Sequence, residues 1–270
     1  MFPIIHLWNK IEIPTYFLSF FIGCILALLL LRKMNKSVKD DILYSSVYMI
    51  IGIGAGAKVM YFFSKLPRII LRFSVFVEFL KTDFIGAINY AFGGLTFFGG
   101  LVGAILGLYI YCKRYKLEFM EFVRIFVPVF PFVHGFGRIG CFLAGCCYGK
   151  EYHGSMAVMF PYNEFMTELS TVPRFPVQLM EAVGNFIIFA FLIVMFKKNC
   201  DAYKLLGTYL LMYSLLRFFD EFLRGDSDRG LYKYISTSQI ICIILIPIAL
   251  FLIIKYRDNY SKKECADENI

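Results

Sequence analysis

Residues 84–112, FIGAINYAFGGLTFFGGLVGAILGLYIYC, run for 29 residues without one charged side chain. A bilayer core of about 30 Å needs about 20 apolar residues in helical form, so this stretch reads as a membrane span. Working outward, Pro14–Leu31 and Ile235–Ile254 are equally free of charge. Ile42–Phe63 is interrupted only by Lys58, and Ile125–Gly149 only by Arg138, with Pro128 and Pro131 in its first half. Ala182–Phe196 follows Glu181 directly, and Leu205–Leu216 runs into Arg217. The reading is an all-α polytopic membrane protein of seven transmembrane helices.

Composition supports that class. The hydrophobic fraction is 59%, with 31 Phe and 18 Tyr, while charged residues make up only 18%. Together with a mean hydropathy of +0.66, this exceeds what a soluble core of 270 residues needs, and it excludes a disordered chain, a disulfide scaffold and a cytosolic enzyme. The net charge of +8 does not indicate nucleic acid, because the cations sit at the ends of apolar runs. Fourteen of them, including Arg32, Lys33, Lys113, Arg114, Lys197, Lys198, Lys255 and Arg257, fall on one side of the seven spans and ten on the other. The positive-inside rule then places the N-terminus outside and the C-terminus in the cytoplasm. Residues 1–260 read as a single integral membrane domain and 261–270 as a disordered cytoplasmic tail. Lys65–Lys81, apolar with regularly spaced cations, reads as an amphipathic helix on the outer interface.

Ionisable groups at membrane depth are costly and each needs a reason. The candidates are Lys58, Arg138, Glu181, Arg217, Asp220 and Glu221. Arg217, Glu221 and Arg224 are spaced i, i+4, i+7 in YSLLRFFDEFLRGD and would share one helical face. A glutamate between two arginines can hold two guanidinium forks toward a phosphate; an internal salt-bridge ladder or snorkelling at a helix end is the alternative. In HGFGRIGCFLAGCCYG (134–149), the density of glycines, Gly137 and Gly140 among them, argues against a regular helix and for backbone approaching a ligand. Arg138 would then face an anion, unless it pairs with Glu181 or Glu221. Cys141, Cys146 and Cys147 match no common zinc spacing, with only His134 near as a fourth ligand. Packing thiols are the preferred reading, a disulfide on an oxidising face is a second, and no metal or other cofactor is expected. Gly99, Gly103 and Gly107, with Gly52 and Gly56, read as helix-packing faces.

Taken in order, these motifs resemble the prolipoprotein diacylglyceryl transferases, bacterial membrane enzymes. GAKVMYFF at 56–63 resembles the family's Gly-Ala-Arg segment, with Lys58 for Arg. GGLTFFGGLVG at 93–103 resembles Gly-Gly-x-x-Phe-His-Gly-Gly, and GRIGCFLAGCCYG at 137–149 resembles G-R-x-G-N-F-x-N-x-E-x-x-G. RFPVQLMEA at 174–182, with Gln178 and Glu181, resembles Pro-x-Gln-Leu-Tyr-Glu-Ala; RFFDEFLRGD at 217–226 resembles Arg-Phe-x-x-Glu-x-x-Arg.

The resemblance implies transfer of a diacylglyceryl group from phosphatidylglycerol to the lipobox cysteine of prolipoproteins, in the inner membrane of a bacterial cell. Its partners would be phosphatidylglycerol, the prolipoprotein signal peptide and the bilayer, not nucleic acid. Arg138, Arg217, Arg224 and Glu221 fall on family positions, and with Lys58, Gln178, Gly137 and Gly140 would line the substrate site. The chain departs where the family's His is Phe98, its two Asn are Cys141 and Ala144, and its Glu is Cys146. His134 or Glu181 could take over proton transfer, although His134 could equally be a packing residue. Those losses also leave open a divergent paralogue with another acceptor, or a non-catalytic lipid-binding or transport protein that kept the arginines.

Overall fold

The computed structural model describes residues 4–7, 11–160, 171–225, 231–232 and 235–267. The expected helical class holds: helices dominate, joined by two short antiparallel ribbons, β1 (Ile4–Leu7) with β2 (Ile11–Pro14) and β3 (Leu231–Tyr232) with β4 (Ile235–Ser236). Among the described residues, five helical stretches are long and apolar enough to cross a bilayer: Thr15–Met34, Lys36–Leu71, Phe119–Ala144, Val177–Lys197 and Thr237–Lys255. Large apolar side chains such as Phe21, Ile50, Ile51, Ile187 and Phe251 are exposed along them. An apolar exterior of this extent suits lipid rather than water. The chain packs as two compact units, one of residues 1–31 and 123–270, the other of residues 32–122.

In the unit of residues 32–122, the principal helices are α2 (Lys39–Leu71) and α5 (Phe97–Tyr115); α1 (Thr15–Met34) precedes α2 in the chain and α6 (Phe119–Phe126) follows α5. The backbones of α2 and α5 approach so closely that a Cβ added to Gly103 would enter the Gly52 carbonyl. Lipid gives apolar helices no hydrophobic reason to associate, so small residues that allow close packing supply the attraction. The expected continuous span over residues 84–112 is instead two helices, α4 (Phe84–Phe92) and α5, broken at 93–96. Three contacts hold the break: Lys58 Nζ donates to the Phe92 carbonyl at 2.7 Å, and both the N–H and the hydroxyl of Thr96 donate to the Ala57 carbonyl, at 3.4 and 3.2 Å. Polar groups that close a helix end are compatible with an apolar run, which is why hydropathy alone could not locate the interruption. The amphipathic segment 65–81 is also divided, between the end of α2 and α3 (Phe73–Thr82).

In the other unit, α7 (Phe130–Ala144), α8 (Val177–Lys197), α9 (Ala202–Asp220) and α10 (Thr237–Asp267) pack in sequence. Phe132, Phe136, Phe186 and Phe189 interlock between α7 and α8, and Ser19 of α1 donates to the Phe136 carbonyl at 2.7 Å. Three expectations need correction. The glycines of 134–149 do not prevent a helix, since α7 is regular through Ala144; packing overrides intrinsic propensity here. Arg217, Glu221 and Arg224 do not share a helical face, because α9 ends at Asp220, a 3-10 turn spans Glu221–Leu223, and Arg224 is extended. The tail is not structureless through its whole length, since α10 continues to Asp267; residues 268–270 lie outside the described residues.

Gly103→Ala should destabilise the protein by about 1–3 kcal/mol through overpacking. Gly54→Ala, on the same helix pair but with nothing within 4 Å of the added Cβ, should hold or raise stability through helix propensity. Thermal unfolding in detergent distinguishes them, and equal melting of the two variants would remove the close α2–α5 contact as the cause.

Candidate active site

Of the charged residues expected at membrane depth, all but Lys58 lie in the unit of residues 1–31 and 123–270. Arg138 sits on the third turn of α7, and its Nη2 lies 2.8 Å from Oε1 of Glu181, on the first turns of α8. Glu181 is almost fully buried and the Arg138 side chain only 11% exposed. The angles make this an ion pair rather than an aligned hydrogen bond, so the carboxylate keeps acceptor capacity. Both residues lie in helices apolar enough to cross a bilayer, where an unpaired charge of either sign would be strongly unfavourable.

A second pair lies on the adjoining helix. Arg217 Nη2 is 2.7 Å from Oε2 of Glu221, both side chains at most 10% exposed, and Arg217 Nη2 also donates to the Ser238 hydroxyl at 3.1 Å. The expected pairing of Glu221 with Arg217 is therefore present. Arg224 is carried away from α9 into a backbone bridge with Gly149, flanked by Lys150 N–H to Leu223 carbonyl at 2.9 Å and Gly225 N–H to Tyr148 carbonyl at 3.0 Å. Arg224 is itself buried and acts electrostatically on Cys147.

His134, one turn before Arg138, places Nε2 3.9 Å from the same Glu181 oxygen and packs its ring against Tyr213. Gln178 is buried one turn before Glu181, and its amide donates to the Cys146 carbonyl at 2.9 Å. Gly140 permits α1 to pass: an added Cβ would stand 3.0 Å from the Tyr16 backbone. The same addition at Gly137 meets only Phe20, at 3.7 Å. The two glycines therefore differ, Gly140 being required by helix packing and Gly137 being sterically free. Lys58 belongs to the unit of residues 32–122, beside a groove of about 530 Å³ lined also by Asp83, Asn89 and Phe92.

The expected site residues omitted Asn185 and Tyr213 and named Asp220 only as an ionisable group at membrane depth. Asn185 is fully buried and donates to the Glu181 carbonyl at 2.8 Å. Tyr213 faces His134. Asp220 is buried, within electrostatic reach of Glu181, Arg217 and Arg138, and neither of its oxygens has a hydrogen-bond partner among the described residues. Asn185 was signalled by its polarity at i+4 from Glu181 inside an apolar run; Tyr213 carried no signal among 18 tyrosines.

Two buried guanidinium–carboxylate pairs thus lie within one unit of an apolar helical protein. In comparison with known sequences, residues 3–255 match the profile of the family described as prolipoprotein diacylglyceryl transferase. The chain belongs to the prolipoprotein diacylglyceryl transferase family. It is 31% identical to the phosphatidylglycerol–prolipoprotein diacylglyceryl transferase of Clostridium tetani, over 93% of this chain and 96% of that protein. It is 31% identical to the transferase numbered 2 of Clostridium perfringens, over 87% and 88%, and 32% identical to that of Rickettsia bellii, over 94% of each. As a prolipoprotein diacylglyceryl transferase family member, the chain keeps its arginines and glutamates in two defined pairs. Three of the departures noted in the sequence, Cys141, Ala144 and Cys146, lie at the end of α7 and in the turn after it, whereas Phe98 lies in α5.

Removing one member of a buried ion pair costs more than removing both, because the survivor stays buried and uncompensated. Glu181→Leu should lower stability in detergent by about 3 kcal/mol. The double variant Arg138→Met/Glu181→Leu should recover most of that loss. Additive losses in this double-mutant cycle would show that the two side chains are not energetically coupled.

Proposed function

We propose that this chain transfers a diacylglyceryl group from phosphatidylglycerol to the lipobox cysteine of prolipoproteins, the first step of lipoprotein maturation. The observation that carries this reading is the pair of buried ion pairs, Arg138–Glu181 and Arg217–Glu221, in a chain of this family. The setting we infer is the bacterial inner membrane, with seven spans, the N-terminus outside, the C-terminus cytoplasmic, and residues 1–260 acting as one integral domain. The substrates are phosphatidylglycerol and a prolipoprotein signal peptide bearing the lipobox.

In the reaction, the acceptor thiolate attacks the glyceryl carbon that carries the phosphate ester. A C–S bond forms, the C–O bond breaks, and its electron pair leaves with the phosphate oxygen as glycerol phosphate. Negative charge grows on the departing phosphate, and Arg138 and Arg217 are held by their carboxylates where preorganised donors are most effective. Arg224, outside the helix, and Gln178 extend the lining toward the headgroup, with Glu221 fixing Arg217; Gly137 leaves room for the lipid. Gly140 supports the lining through helix packing rather than by lipid contact. Lys58 is assigned a headgroup contact from its family position alone.

The acceptor enters as a thiol and must lose a proton. His134 is suited to accept it, with Glu181 3.9 Å away to stabilise the imidazolium. The changes at Phe98, Cys141, Ala144 and Cys146 favour a second reading, in which the same lipid chemistry serves a different acceptor.

Purified protein incubated with phosphatidylglycerol and a lipobox peptide should yield a peptide carrying the diacylglyceryl mass on cysteine. Arg138→Ala and Arg217→Ala should each reduce turnover by about 100-fold or more, the scale of losing one preorganised donor. Unchanged turnover in both, with folded protein, would sink the mechanism. An unmodified peptide with phosphatidylglycerol still bound would favour the other acceptor. His134→Gln should lower the rate while lipid binding survives; an unaltered pH–rate profile in that variant would exclude His134 as the base.

A further inference from the structure

The sequence spacing of Cys141, Cys146 and Cys147 suggests packing thiols, but the backbone gathers them. Helix α7 ends with Gly145 at φ 78°, whose N–H donates to the Phe142 carbonyl at 3.3 Å, while the Cys146 N–H reaches the Cys141 carbonyl at 3.1 Å. This double closure turns the chain back over the last helical turn, and sets Cys146 and Cys147 above Cys141. Cys147 follows at φ 56°, a left-handed conformation uncommon outside glycine. The three Sγ atoms consequently lie within 4.8 Å of one another, and none of the three forms a disulfide. Gln178 anchors the turn through the Cys146 carbonyl.

Zinc–thiolate bonds of about 2.3 Å in tetrahedral geometry set sulfur atoms about 3.8 Å apart, so the cluster needs only a small contraction to close on a metal. Three thiolates around a divalent cation leave one negative charge, and two guanidinium groups stand by it: Arg138, with Nη1 3.9 Å from Cys141 Sγ, and Arg224, which acts electrostatically on Cys147. Cys141 is buried, whereas Cys146 and Cys147 are half-buried, so the cluster has one accessible side. Three protein ligands and an open fourth position are the pattern of reactive rather than purely structural zinc.

We propose that Cys141, Cys146 and Cys147 bind one Zn²⁺ through three thiolates, with the fourth position open to an exchangeable thiol or water. Resting on the transfer reading above, that exchangeable ligand is the acceptor cysteine. Coordination deprotonates a thiol outright: the S–H proton goes to solvent or to a neighbouring base such as His134, and a zinc-held thiolate remains. The metal site thereby supplies the thiolate in a chain whose family histidine position is Phe98.

The test is metal analysis of the full-length protein purified in detergent without chelators, then loaded with Zn²⁺ and desalted. About one zinc per chain is expected, falling at least tenfold in Cys146→Ser and in Cys147→Ser. Because a buried serine could disturb folding, the wild-type protein loaded with Co²⁺ gives an independent readout: sulfur-to-cobalt charge-transfer absorption. That spectrum should change when a lipobox peptide is added, and stay unchanged with the Cys→Ser peptide. Folded protein that holds less than about a tenth of a zinc per chain, with all three thiols alkylated equally fast with and without Zn²⁺, would overturn the site. A disulfide between two of the three in freshly purified protein would overturn it as well. Zinc and a cobalt response without any diacylglyceryl transfer would leave the site standing and fault the transfer reading instead.

Discussion

A guanidinium group inside an apolar helix can persist only where a carboxylate meets it. For Arg138 that carboxylate is Glu181, 2.8 Å away, and for Arg217 it is Glu221, 2.7 Å away. Desolvation of either charge alone would cost several kcal/mol, so the geometry of α7, α8 and α9 is tied to keeping the pairs together. Glu181 must sit at the start of α8 to meet the middle of α7. Asn185 holds the Glu181 carbonyl one turn later. Gly140 allows α1 to pass the back of the helix that carries Arg138. Donor capacity also remains on both arginines, since Arg138 Nε and Arg217 Nη1 have no hydrogen-bond partner among the described residues.

Much of this was legible in the sequence, because lipid penalises charge so heavily that each ionisable residue in an apolar run announces itself. Arg138, Glu181, Arg217 and Glu221 stand out for that reason, and five motifs in register carried the family. What the sequence concealed depends on three-dimensional closure. Glycine-rich 134–149 looked irregular throughout, yet α7 is helical through Ala144 and the chain departs from the helix only from Gly145 onward. The break between α4 and α5 is closed by hydrogen bonds from Lys58 and Thr96, which no hydropathy window registers. Arg224 sits at helical spacing from Glu221, but a 3-10 turn redirects it. Asp220 was visible as an ionisable residue; its burial among the arginines was not.

The positions of oxygen-bearing side chains have changed more than those of the arginines. Relative to the family's signature, oxygen-bearing Asn and Glu positions at the end of α7 hold Cys141 and Cys146, while both arginines of the ion pairs stay. Amide and carboxylate oxygens are hard donors that suit protons and hydrogen bonds; thiolates are soft donors that suit polarizable partners. On the transfer and zinc readings proposed above, the phosphate-facing and thiol-facing sides of the site are chemically separable, although Arg138 touches both through Glu181 and Cys141.

The bridge between residues 148–150 and 223–225 has a mechanical meaning. Its hydrogen bonds, Lys150 to Leu223 and Gly225 to Tyr148, clamp the turn that follows α7 to the extended residue after the 3-10 turn that ends α9. The guanidinium of Arg224 and the sulfur of Cys147 are thus mounted on opposite jaws of one clasp, each a single residue or two from the rivets. Neither can swing aside for an entering lipid or peptide without dragging the other. A substrate that displaced one jaw would therefore carry the other with it and change the electrostatic field at Cys147.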